Sequence, residues 1–75
     1  MHLNAIQRLQ ILEILYLRFS AKPKFCWVSE HELKKLGDIE FPLAALNKLG
    51  HANLDGLNWQ ITGAGILAYE AAQEH

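Results

Sequence analysis

Apolar residues recur at helical spacing along the start of the chain, and the rhythm then changes several times before the end. Between Leu3 and Phe19, the residues Ala5, Leu9, Leu12, Tyr16 and Phe19 share one face at about 100° per residue, widened by Ile6 and Leu17. That spacing predicts an amphipathic helix with this stripe toward a core. The opposite side carries Asn4, Gln7, Arg8 and Arg18, together with Ile11, Ile14 and Leu15. Those three apolar residues make an unusually greasy surface, or contact a later helix, or belong to the seam of a homodimer or partner surface, because apolar area outside a core commonly marks an interface. Pro23 ends a polar connection over Ser20–Lys24, since proline cannot continue a helix. The aromatic and β-branched run Phe25-Cys26-Trp27-Val28 then favours a short strand.

Local signals become sharper from Ser29 onward. Ser29-Glu30-His31-Glu32 has the form of a capping box, in which the Ser hydroxyl accepts from the Glu32 amide and the Glu32 carboxylate reaches back to the Ser29 amide. Val28 and Leu33 occupy the two positions of a hydrophobic staple, and Gly37 supplies a stop after a helix reaching about Leu36. Beyond a turn over Gly37–Glu40, Pro42 suits the first position of another helix, with Phe41 extended before it. Leu43, Leu46 and Leu49 with Ala45 predict the buried face of that helix; Ala44, Asn47, Lys48 and His51 predict its outer face, at i, i+3, i+4 and i+7. Two short helices joined by a tight turn form a helix-turn-helix. Asp55-Gly56 then reads as the centre of a hairpin, with Leu57, Trp59 and Ile61 alternating against Asn58 and Gln60. Thr62 is a candidate N-cap for a last helix ending near Gln73, which returns Ile66, Leu67 and Tyr69 to the core. Gly63 and Gly65 in its first turn imply close packing against the first helix. These elements add up to a mainly α chain with a small β-hairpin, an α+β class.

Composition narrows the picture. Seventy-five residues allow one domain over 1–75, with a core spanning about residues 3–72, and 51% hydrophobic content excludes disorder. The net charge of −1 provides no global field for polyanions, but the balance is uneven. Residues 1–48 hold all seven Lys and Arg against five acids, whereas residues 49–75 hold only Asp55, Glu70 and Glu74. A single cysteine, Cys26, is expected to be a buried thiol beside the strand and fits a reducing cytoplasm. The N-terminus lacks a signal pattern, and Gln7, Arg8, Gln10, Glu13 and Arg18 interrupt the first helix too often for a membrane span. A cytoplasmic protein without membrane contact is expected.

Leu46-Asn47-Lys48-Leu49-Gly50, followed by a hairpin and Ile61-Thr62-Gly63-Ala64-Gly65, is similar to the segment that ends many MarR-like and PadR-like domains. The whole order over about residues 3–72 resembles the winged helix-turn-helix superfamily of small transcription regulators. The resemblance implies that the helix from Pro42 to about Gly50 enters the DNA major groove, with the tip at Asp55-Gly56 touching the backbone or minor groove. Carried over residue by residue, it puts Ala44, Asn47, Lys48 and His51 on the contact face, with Asn47 suited to adenine and Lys48 to guanine or phosphate. Lys34 and Lys35, with Arg18, Lys22 and Lys24, form either a phosphate-contacting rim or an ordinary solvated face, the commoner role of such charges. The reading helix departs from the pattern in bringing one cation, and the wing tip carries Asp55 with no cation.

No catalytic chemistry is legible. Lys35 stands where a zinc-protease motif beginning at His31 needs its second His, and His2, His31, His51 and His75 have no metal-ligand spacing. Thr62–Gly65 lacks the lysine of a phosphate-cradling loop. The expectation is a non-enzymatic chain with no cofactor, metal or small-molecule substrate. Its function is a DNA-binding transcription regulator acting as a homodimer or, in the alternative, a protein–protein interaction module of the same fold that does not bind DNA.

Overall fold

Helix α1 (Leu3–Ala21) is the element on which the others assemble: α3 (Glu40–Lys48), strand β3 (Asn58–Ile61) and α4 (Gly63–Gln73) all pack against it. The structure, a computed structural model, describes residues 3–74, so His2 and His75 lie outside it. The described chain is mainly helical with a small antiparallel sheet. In order it runs α1, β1 (Val28–Ser29), α2 (Glu30–Leu33) with a 3-10 turn over Lys34–Leu36, α3, β2 (Ala52–Asp55), β3 and α4. The sheet order is β1-β3-β2, with Val28 opposite Trp59 and Leu54 opposite Trp59 on its other side. No helix among the described residues is long and apolar enough to cross a membrane.

Because α1 is covered by three elements, its core is not the single stripe expected. Ile11 and Leu15 have no accessible surface, Leu12 is buried, and Ile14 packs half-buried against the same cluster. Ile11 and Leu15 are therefore core contacts and not a free dimer or partner surface, and Ile14 is partly covered by the same cluster. The cost falls on the other edge, where Ile6 and Leu17 are exposed. A helix packed on more than one side loses the one-face periodicity that surface helices show.

Ser29 caps α2 as expected, its hydroxyl accepting from the Glu32 amide at 3.1 Å, and the staple residues Val28 and Leu33 are both fully buried. Glu32 does not complete the box. Its carboxylate takes Arg18 Nη2 at 2.7 Å and so ties the end of α1 to α2. The strand is shorter than the aromatic run suggests: Cys26 is buried before it, donating to Gln60 Oε1 at 3.2 Å, while Phe25 is exposed.

Helix α3 begins two residues earlier than Pro42, at Glu40, whose amide donates to Asp38 Oδ1 at 3.2 Å. Proline is tolerated in this first turn because the first four helical amides have no intrahelical acceptor, and its ring is buried. The helix closes with a Schellman turn: His51 N donates to Leu46 O, Gly50 N donates to Asn47 O, and Gly50 takes φ 76°. This turn carries Leu49 out of the buried face to 55% exposure and takes His51 off the helix altogether.

The hairpin register is shifted by one residue from the expectation. Asp55 pairs with Asn58, so the turn residues are Gly56 and Leu57. Gly56 has φ 63° and Leu57 a negative φ, the signature of a II′ turn with glycine first. Trp59 and Ile61 face the core as predicted, whereas Leu57 sits exposed in the turn. Thr62 caps α4, accepting from Gly65 N at 3.0 Å and donating to Gly50 O at 2.6 Å. Ile66 and Tyr69 reach the core, and Leu67 is 70% exposed.

Candidate functional site

The hairpin and α3 do not close on each other, and the space between them is a groove of about 760 Å³. Its floor is apolar: Ile39, Leu43 and Trp59, all buried, with the half-exposed Leu54 from β2. The alternation of β3 puts Trp59 on this side, and pairing sets Leu54 directly across from it. The helical phase of α3 places Leu43 at the floor and Ala44 and Asn47 along the opening.

Three carboxylates line the same groove: Glu30 from α2, Asp38 from the turn and Glu40 from the start of α3. Two of these side chains are held by the fold. Glu30 Oε1 accepts from the Trp59 indole N–H at 3.1 Å, and Asp38 Oδ1 accepts from the Glu40 amide. None of the three takes part in a salt bridge among the described residues, and Lys34 is the one cation among the lining residues. No group of three or more His, Cys, Asp or Glu side chains among the described residues converges closely enough to hold a metal ion.

The residues expected to contact DNA divide. Ala44, Asn47 and Lys34 come together on the groove, and Lys48 and Lys35 are exposed outside it. His51 does not join them. It lies beyond the Gly50 turn, its carbonyl accepting from the Thr62 amide at 3.0 Å, so the i+7 position that assumed a continuous helix does not exist. Within the basic rim, Arg18 is committed to Glu32 and to the Trp27 carbonyl. Asp38 and Glu40 flank Ile39 in a stretch whose sequence reads as a turn, and only the pairing of β2 with β3 brings Trp59 and Leu54 to the groove that they line.

A second polar cluster joins α1 to α4. Tyr16 donates to Glu70 Oε2 at 2.7 Å, Tyr69 donates to Glu13 Oε2 at 3.2 Å, and the two rings lie 4.7 Å apart between centroids. The hydrogen bond to Glu70 raises the Tyr16 pKa above 10.0, assisted by desolvation and the negative charge; desolvation first and then the bond to Glu13 raise that of Tyr69. Glu13 and Tyr69 also line a shallow hollow of about 180 Å³ between α1 and α4, and their hydrogen bond to each other spans that seam.

The chain matches no protein-family model, no curated protein and no solved structure at a significant level.

Proposed function

We propose that the chain is a winged-helix domain that works as a protein-docking module, its partner seated between α3 and the β2–β3 hairpin. The element order and the pairing of β1 with β3 and β3 with β2 support the winged-helix reading. The observation that carries the docking role is the groove itself: an apolar floor bordered by Glu30, Asp38 and Glu40, on the face where a DNA reader needs cations. Phosphate neutralisation by Lys and Arg supplies most of non-specific DNA affinity, and carboxylates at that place oppose it. Asp55 beside the hairpin turn adds to the opposition. The domain binds rather than catalyses in this reading.

A photo-crosslinking amino acid at Leu54 or Ala44 tests it in cells. One defined protein adduct, absent when the probe sits at exposed Ser20, is the expected result; capture of nucleic acid instead overturns the reading.

A specific observation favours a second reading, DNA binding. Asn47 and Lys48 are both exposed on α3, with Lys34 and Lys35 exposed on the preceding turn. On this reading, duplex DNA binds at low salt, and Lys48→Ala weakens binding uniformly across sequences while reducing the salt slope by about one. Anisotropy of labelled duplex DNA measures it, and a flat titration at low salt removes DNA from consideration.

A further inference from the structure

We infer that the α3–hairpin groove takes a short cationic-apolar segment of a partner protein, in which large apolar side chains cover the Trp59–Leu43 floor and Lys or Arg side chains meet Glu30, Asp38 and Glu40. This rests on the protein-docking reading above and names the chemistry of the partner.

Charge complementarity decides the occupant. Three carboxylates without ion-pair partners line the groove with a single lysine, Lys34, among them, so positive charge on an approaching segment lowers the energy of the site. An acidic or phosphorylated segment meets repulsion there. Two of the carboxylates are also pre-positioned, because the Trp59 indole holds Glu30 and the Glu40 amide holds Asp38. Each keeps a second oxygen for an incoming ammonium or guanidinium. The floor supplies the other half of the recognition. Leu54 is 45% exposed beside buried Trp59, and covering it removes apolar surface from water. Asn47, at the open side of the groove, carries both a donor and an acceptor suited to the backbone amides of an extended or helical segment. A floor that is apolar and a rim that is acidic together exclude a purely basic tail and a purely greasy helix as the best ligand.

The test uses the full chain, isotopically labelled for NMR, and three fluorescent peptides: one alternating Leu with Lys, one with Glu replacing Lys, and one with Ser replacing Leu. Duplex DNA is a fourth probe. The Leu–Lys peptide is expected to bind most tightly, to weaken with salt, and to shift the Trp59 indole, Leu54 and Ala44 resonances. The triple variant Glu30→Gln, Asp38→Asn, Glu40→Gln keeps the acceptor oxygens that the fold uses and removes the charge. It is expected to weaken that peptide about tenfold while the melting temperature holds. Ala44→Arg, at an exposed helical site, is expected to block the groove by bulk and charge.

If the Glu peptide binds as well as the Lys peptide with shifts in the groove, the cationic inference fails and the docking reading survives. If no peptide binds and duplex DNA does, the docking reading fails with it. Binding of the Leu–Lys peptide that ignores both the triple variant and Ala44→Arg also overturns the inference.

Discussion

Gly63 and Gly65 stand two residues apart in the first turn of α4 and do opposite things. A Cβ on Gly65 would overlap the His51 carbonyl, which the Thr62 amide holds, and crowd Ile61 in β3, whereas a Cβ on Gly63 meets open space. Gly65→Ala is therefore expected to destabilise the domain by about 2 kcal/mol or more, through overpacking against backbone that cannot move aside. Gly63→Ala should leave stability unchanged or raise it by up to about 0.5 kcal/mol, since alanine restricts the unfolded chain and favours the helix. Urea unfolding of the pair reads the contrast, and equal effects would disprove the assigned close approach. Thr62 completes the same junction from the other side. Replacing it with Val keeps the shape and loses both the cap to Gly65 and the bond to Gly50, an expected cost of about 1–2 kcal/mol in the same titration.

Between elements, the α1–α4 seam is a place where pH should be felt. Both tyrosine hydroxyls there have raised pKa values, so the fold favours their protonated form. Their contribution is complete below the ordinary tyrosine pKa of 10.0 and is lost as pH rises through the higher folded values. Melting temperature should thus fall from about pH 10 upward, less steeply in a Tyr16→Phe, Tyr69→Phe double variant. A scan by circular dichroism across that range checks this; identical slopes would remove the tyrosines as the cause. What was legible in the sequence at this scale follows how local each cause is. The Ser29 cap, the Val28–Leu33 staple and the Thr62 cap are set by residues within a few positions of one another, and all three are present. The hairpin was visible, but its register was not, because Asp55-Gly56 and Gly56-Leu57 are both acceptable turn pairs and cross-strand packing of Trp59 and Ile61 selects the second. The burial of Ile11 and Leu15 is one of several alternatives the sequence leaves open, since periodicity cannot tell how many neighbours a helix has. The candidate site is half legible: Ala44, Asn47 and Lys34 are candidate DNA contacts by sequence and line the groove, whereas the acids and the indole join them only through tertiary structure.

For the molecule as a whole, a small domain has little stability in reserve, about 5 kcal/mol at the lower end of the usual range. Leu15→Ala removes a side chain with no accessible surface and is expected to cost about 2–5 kcal/mol, enough to abolish a cooperative melt at room temperature. A sharp melt retained near the wild-type temperature would place Leu15 outside the core. The junction of Gly50, His51 and Thr62 has a consequence of a different kind. By fastening the end of α3 to both the entry of β2 and the start of α4, it closes the hairpin into a loop anchored at its base. On the docking reading proposed above, a hairpin tied to α3 at its base leaves the groove open before a partner arrives. Association should then follow a single second-order phase with no slow conformational step behind it, and its rate should scale linearly with ligand concentration in stopped-flow mixing.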